Sequence, residues 1–143
     1  MGGHEQPGGS DAGAGPNHLD LNVSDLVRSE AFYLSLAERL GWREMQRGEA
    51  WVSIGTEAFY VTLVRTDERF RDAGFHRKAV GVNHIALLAG SKEEVDRLHD
   101  WLVARSVPVL YGGPLDMSEG AEPNYAVFFK DPDRLKLEFV FRG

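Results

Sequence analysis

Two histidines and one glutamate are the residues of this chain best suited to chemistry. His18 and His84 each follow an asparagine and precede a run of alternating apolar residues, and Glu138 lies in the last such run. Neutral imidazoles together with a carboxylate suit a divalent first-row metal, with positions left open for water or substrate. The set is compatible with Fe, Mn, Zn or Ni and does not choose among them.

The elements that position these residues read as two copies of one supersecondary unit. Each copy begins with a strand that contains an Asn-His pair, continues with an amphipathic helix and ends with three short strands. The first copy is predicted with strands over 18–23, 42–46, 51–54 and 59–65 and a helix between Ser24, its N-cap, and Gly41. The second is predicted with strands over 82–89, 107–111, 125–130 and 135–141 and a helix capped by Ser91. Such self-similarity predicts an α+β fold of paired βαβββ units.

Taken singly, each candidate ligand has an ordinary structural explanation. A strand histidine is usually satisfied by a hydrogen bond, and a half-buried glutamate such as Glu138 usually pairs with Lys or Arg. The repeat favours the metal site, because both histidines hold equivalent positions and Glu138 lies on the closing strand of its unit. On that strand Glu138 shares a face with Lys136 and Val140, away from the side that packs on the helix.

Composition excludes several other classes of protein. The 143 residues include no cysteine, so disulfides and thiolate metal sites are excluded, and we expect a cytoplasmic protein. A net charge of -6 argues against nucleic acid and anionic membranes as partners. No apolar run approaches the roughly 18 residues that span a bilayer. The glycine-rich residues 1–15 predict a disordered tail, and 16–143 predict one domain.

The connector over 66–81 carries a weak excess of positive charge. From Arg65 to Lys78, five basic residues face three acidic ones, a net charge of +2. A solvated linker is the favoured interpretation of so small an excess. A role for His76 at the cavity, if this loop closes over it, is the alternative.

These features resemble the vicinal oxygen chelate superfamily, which includes glyoxalases, extradiol dioxygenases, fosfomycin-resistance enzymes and bleomycin-binding proteins. The resemblance rests on the two Asn-His pairs, the duplication, and Tyr125 to Asp133 leading into Leu137-Glu138, and it covers about residues 16–142. It implies an open, cavity-forming β-sheet barrel with helices outside, and a homodimer. It also implies that His18, His84 and Glu138 are the metal ligands. The cavity forms in such proteins within one chain or by exchange of units between two chains.

Two positions depart from the family pattern. Thr62 falls opposite Glu138 when the last strands of the two units are aligned, where glyoxalases and epimerases usually carry Glu or Gln. This favours a three-ligand site, as in the dioxygenases and fosfomycin-modifying enzymes. Arg134 replaces the glycine that is common after Asp-Pro-Asp.

Side chains around the three candidate ligands suggest further roles. Asp20 is predicted as a base or as a group that orients an imidazole, and Tyr125 as a donor to a metal-bound oxygen or as a rim aromatic. Residues predicted to line the cavity for a flat, partly apolar ligand are Trp51, Tyr60, Thr62 and Phe129.

Two functions remain open from the sequence. The first is an enzyme in which a divalent metal chelates two oxygens of a small substrate. The second is a protein of the bleomycin-resistance type that sequesters an aromatic drug or natural product without chemistry. The presence of all three candidate ligands favours the enzyme.

Overall fold

The computed structural model describes residues 13–143 and contains both predicted units. The first unit consists of β1 (His18–Val23), α1 (Leu26–Leu40), β2 (Arg43–Arg47), β3 (Trp51–Gly55) and β4 (Tyr60–Arg65). The second consists of β5 (Ile85–Leu88), α2 (Lys92–Ala104), β6 (Leu115–Asp116), β7 (Tyr125–Lys130) and β8 (Lys136–Phe141). A 3₁₀ helix, Glu68–Ala73, lies in the connector between them. The prediction of an α+β fold made of two βαβββ units is confirmed.

Each unit forms its own four-stranded sheet. The strand orders are β1-β4-β3-β2 and β5-β8-β7-β6. In both sheets the first strand of the unit lies parallel to the last, and the remaining neighbours are antiparallel. The strand that begins with or follows an Asn-His pair is therefore an edge strand in each sheet.

Side-chain alternation gives the first sheet a polar face and an apolar face. His18 is paired with Tyr60 and Asp20 with Thr62, so these four side chains share one face. Leu21 is paired with Leu63 on the opposite face, and both belong to the core against α1. The residue two places after His18 thus lies beside Thr62.

The second sheet repeats this register. Ala86, two places after His84, is paired with Glu138, and Glu138 is paired with Phe128 on its other side. Thr62 and Glu138 therefore hold equivalent positions, as the alignment of the two units predicts. The opposite face contributes Leu137 and Phe139 to the core under α2.

Both helices begin at a side-chain cap, and α1 also ends at a glycine cap. Gly41 adopts a φ of 68° at the end of α1, a left-handed conformation that glycine accepts at little cost. Ser91 accepts a hydrogen bond from the backbone N–H of Glu94, as predicted. The prediction that Ser24 caps α1 is wrong, because Asp25 accepts from the N–H of Arg28 instead.

A polar joint fastens the first helix to the second unit. Tyr33 of α1 donates to Asp131 Oδ2 over 2.8 Å, and the other oxygen of Asp131 accepts from the N–H groups of Asp133 and Leu135. Ser24 donates from its backbone and its hydroxyl to Asp133, which explains why it does not cap the helix. Burial raises the pKa of the Asp131 carboxyl, and it also raises that of the Tyr33 hydroxyl.

One apolar core continues through both units around this joint. Leu36 of α1 and Leu98 of α2 belong to the same cluster of buried side chains, which also includes Phe129 of β7. The core therefore holds the two sheets together from their helix sides.

The second unit differs from prediction between α2 and β7. The strand expected over 107–111 is absent there, and only an isolated bridge pairs Val109 with Phe129. The fourth strand of the sheet is instead Leu115–Asp116, between the strands predicted over 107–111 and 125–130. Tyr111 then adopts a positive φ of 59°, which ends the pairing with β7 after this bridge. Among residues 13–143, no helix is long and apolar enough to cross a membrane.

Candidate functional site

His84 and Glu138 form the core of the candidate site. His84 Nε2 lies 3.0 Å from Glu138 Oε1, although the two residues are separated by more than 50 positions in the chain. The glutamate side chain is only 12% exposed and the histidine side chain 34%. Phe128 presents its ring edge-on to the imidazole, with centroids 6.0 Å apart. The carboxylate is thus largely shielded from solvent, whereas the imidazole stays partly accessible.

The asparagine of each Asn-His pair fixes the orientation of its histidine. His84 Nδ1 lies 2.7 Å from Asn83 Oδ1, and His18 Nδ1 lies 2.5 Å from Asn17 Oδ1. Because an amide oxygen can only accept a hydrogen bond, each Nδ1 carries a proton, and the neutral ring then keeps its lone pair on Nε2. This is the tautomer that a metal-binding imidazole needs.

His18 lies apart from the other two candidate ligands within the chain. Its ring stacks on Tyr60, with centroids 5.2 Å apart, and its Nε2 lies 3.9 Å from Asp20 Oδ1. No group of three His, Asp or Glu side chains across the described part of the chain is close enough to hold a metal. The structure therefore brings two of the three predicted ligands together and leaves His18 exposed on the polar face of the first sheet.

The polar face around His18 contains three of the predicted lining residues. Trp51, Tyr60 and Thr62 share it by strand register. Thr62 is buried, and its hydroxyl lies 2.7 Å from the hydroxyl of Ser53, so the two satisfy each other. Asp20 lies one position from His18 along this face and is exposed. These residues lie on the sheet of His18 and not on the sheet of Glu138, with Tyr60 directly beside His18 and Trp51 opposite Val64 farther along the strand.

The prediction that Tyr125 and Phe129 line the cavity beside Glu138 is wrong. Phe128 is the residue paired with Glu138, so Tyr125 and Phe129 point to the helix side of the sheet. Phe129 is 1% exposed in the core. Tyr125 donates its hydroxyl to Asp96 of α2, and that bond raises its pKa to about 12. Because β7 is apolar on both faces, alternation alone could not reveal which residues face the site.

Two residues near the candidate pair were missed by sequence reasoning. Lys136 Nζ donates to Tyr111 Oη over 2.7 Å and lies 4.8 Å from the centroid of the Phe128 ring. That hydrogen bond, aided by the positive charges of Lys136 and Arg77, lowers the pKa of Tyr111. Lys136 could have been found from its shared face with Glu138, whereas Tyr111 lies in a loop whose path no periodicity predicts.

The chain is similar to known proteins of one superfamily. The family model described as the glyoxalase/bleomycin resistance protein/dioxygenase superfamily matches residues 15–139. The uncharacterized protein YqjT of Bacillus subtilis is 38% identical over 124 residues, which cover 87% of this chain and 96% of YqjT. The metallothiol transferase FosB of Lysinibacillus sphaericus is 30% identical, covering 86% of this chain and 79% of FosB.

Solved structures show the same fold. A Bacillus halodurans protein with a provisional glyoxalase assignment superposes with a TM-score of 0.76 and 37% identity, over 88% of this chain and 94% of that one. Lactoylglutathione lyase from Agrobacterium tumefaciens superposes with a TM-score of 0.65 at 20% identity, over 90% and 93% of the two chains, which supports the fold alone. With the duplicated units and the match over most of its length, the chain belongs to the glyoxalase/bleomycin resistance protein/dioxygenase superfamily.

Proposed function

We propose that this protein is a divalent-metal-dependent enzyme of the glyoxalase/dioxygenase type that acts on a small oxygen-chelating substrate. The observation that carries the proposal is the contact of His84 with the poorly exposed Glu138. A carboxylate in such surroundings requires a positive partner, and buried charges in proteins are paired or coordinate metals. The unprotonated Nε2 of His84 faces Glu138 Oε1, so one metal ion could bind both atoms.

The donor set fits a metal such as Fe, Mn, Zn or Ni. His18, His84 and Glu138 would supply two nitrogens and one carboxylate, and both imidazoles are held in the required tautomer by their asparagines. A bound metal would act as a Lewis acid on the substrate oxygens that it chelates.

The third ligand, His18, would come from a second copy of the chain in a homodimer. His18 is 47% exposed on edge strand β1. Edge strand β5 beside Glu138 likewise exposes Leu88, at 75%, to solvent. Exposed edges and apolar side chains are typical of surfaces that another chain covers. Exchange between two chains would complete two equal sites.

Residues on the polar face near His18 would then bind substrate beside the metal. Asp20 would serve as the base, because its carboxylate lies 3.9 Å from the metal-facing Nε2 of His18, whereas that distance and the Asn17 contact at Nδ1 argue against the alternative that Asp20 orients the imidazole. Trp51, Tyr60 and Thr62 would contact a flat, partly apolar substrate. Since the relative FosB is a metallothiol transferase, transfer of a thiol to the substrate is the first reaction to assay.

Metal content tests the proposal directly. The wild-type protein is expected to retain a divalent metal after purification, and His84→Ala and Glu138→Ala to lose it. His99→Ala, which changes a helix histidine outside the candidate site, is the matched control and should retain metal. A wild-type protein that takes up no divalent metal would refute the enzyme and favour the sequestering alternative.

Complementation between two inactive variants tests the shared site. His18→Ala and Glu138→Ala homodimers are expected to be inactive, and mixing them after gentle dissociation should restore activity. In the mixed dimer, one site receives His18 from one chain and Glu138 from the other, so only one of its two sites is intact. A site built within one chain would show no recovery on mixing.

A further inference from the structure

We infer that Arg77, Lys130 and Arg134, with His76, form a subsite that binds a doubly charged tetrahedral oxyanion, the anionic group of the substrate. These residues line a small cavity of about 70 Å³ between the connector and the β7–β8 turn. The inference rests on the proposed function, which places the reacting oxygens at His84 and Glu138. It identifies the substrate class as small molecules that carry such a group beside their chelating oxygens.

Within the part of the chain that the structure describes, the three cations of this subsite have no carboxylate partner. Across residues 13–143, no Asp or Glu lies within ion-pair distance of Arg77, Lys130 or Arg134. The two acidic side chains of the adjacent turn are hydrogen-bonded to other groups. Asp131 accepts from Tyr33 and from backbone N–H groups, and Asp133 accepts from Ser24.

Unpaired cations at this place are notable because the chain as a whole is acidic. The net charge is -6. Arg77 and Lys130 are half-buried, so their charges are less screened than those of an exposed patch. Arg134 stays in the cluster although its φ of 70° belongs to a region that favours glycine. An anion in the cavity would supply the missing counter-charge.

His76 adds a neutral donor to the cluster. Its Nδ1 accepts a hydrogen bond from the backbone N–H of Lys78 over 3.1 Å. The ring proton therefore lies on Nε2, where it can be donated to an anion oxygen. Three cations and an N–H donor suit an oxyanion with several acceptors more than a single carboxylate, because each oxygen finds its own donor.

The cavity volume favours one compact group. About 70 Å³ is several times the roughly 10–15 Å³ of such space that one water needs, so the cavity admits one compact group of several atoms but not a long ligand.

The subsite lies close to the proposed reaction centre. Lys130 is paired with Lys136, which precedes Glu138 by two residues on the same face, a distance of about 7 Å along a strand. Arg77 lies near Tyr111, since its charge contributes to the lowered pKa of that hydroxyl. One molecule of metabolite size can therefore reach both His84–Glu138 and the cations.

Binding of inorganic phosphate to the metal-free full-length protein tests the inference. Chemical-shift titration in a phosphate-free buffer should show saturable binding, shared by sulfate and weakened by added salt, with acetate at least tenfold weaker. Arg77→Gln and Arg134→Gly should each weaken phosphate binding by about tenfold, the loss expected for one charge-assisted hydrogen bond. Arg134→Gly relieves the backbone at a positive φ, so a loss there cannot come from unfolding.

Arg71→Gln is the matched control, because it removes the same charge from the same connector outside the cavity. Equal phosphate affinity in Arg77→Gln, Arg134→Gly and the control would overturn the subsite. Acetate binding as tightly as phosphate would overturn the substrate class. Glu138→Ala separates the two proposals, because it should lose metal and keep phosphate binding. Phosphate binding by a wild type that takes up no metal would support the subsite and refute the metal enzyme.

Discussion

Replacing Tyr33 with phenylalanine is expected to destabilise the protein by about 2 kcal/mol. The Tyr33 hydroxyl is the donor to Asp131 Oδ2 over 2.8 Å, and both residues are buried, at 3% and 6% exposure. The other carboxylate oxygen is occupied by two backbone N–H groups, so the substitution leaves Oδ2 buried without a partner. An unsatisfied buried acceptor costs about 1–3 kcal/mol, and the ring itself is retained.

The assay is equilibrium unfolding in urea. A loss of about 2 kcal/mol moves the midpoint by about 1 M, given a denaturant slope of about 2 kcal/mol per M. The slope should not change, because phenylalanine keeps the ring's edge contact with Phe32.

Tyr125→Phe is the matched control for this prediction. It also deletes a hydroxyl that donates to a carboxylate, but that carboxylate, Asp96, is exposed and regains water as its partner. Its stability should stay within about 0.5 kcal/mol of wild type. Equal losses in the two variants, or a Tyr33→Phe loss below about 0.5 kcal/mol, would refute the assignment of the Asp131 joint as a buried, fully satisfied network.

Three further predictions concern pH and backbone geometry. Burial raises the folded-state pKa of the Asp131 carboxyl, so ionisation of Asp131 costs more free energy in the folded than in the unfolded protein. The stability of wild type relative to Asp131→Asn should therefore be greatest below the unfolded pKa of about 3.9 and should fall as pH rises above it through the folded pKa; a flat difference in urea titrations would contradict this. Arg134→Gly should gain about 0.5–1 kcal/mol because φ is 70° there, and a loss of stability would contradict this. Gly55→Ala should cost about 2 kcal/mol in thermal unfolding, since its φ is 156° and a Cβ would lie 2.5 Å from the carbonyl oxygen of Phe59; unchanged stability would contradict this.

The sequence predicted the parts of the fold that local chemistry determines. Strand β1 has the predicted bounds because polar and apolar residues alternate strictly along it. Gly41 ends α1 as expected, and the equivalence of Thr62 with Glu138 follows from strand register in both sheets. The two βαβββ units were predicted from the repeat, because two weak patterns of strands and helix in the same order support each other.

The sequence failed where partners distant in the chain decide the outcome. Ser24 is a good N-cap by type, but Asp133 of the other unit binds it and Asp25 takes its place. The sequence could not predict which residues of β7 face the site and which face the helix, because a strand buried on both faces shows no alternation of polar and apolar residues. Arg77 lies beside Lys130 and Arg134 only because the β7–β8 turn folds against the connector, and the net charge of the connector does not reveal this contact.

The two units differ at their equivalent positions in a way that predicts one metal per chain. In the first unit Thr62 and Ser53 are buried neutral hydroxyls that satisfy each other over 2.7 Å, so nothing there requires a cation. In the second unit Glu138 is a nearly buried carboxylate, and among residues 13–143 the only group within hydrogen-bond distance of it is His84 Nε2, which faces it with a lone pair rather than a proton. Since only this unit carries a negative charge in need of a partner, a homodimer should bind two metals, each lost with its own Glu138. Metal analysis that finds two ions per chain, or one ion retained in Glu138→Ala, would show that the charge argument is wrong.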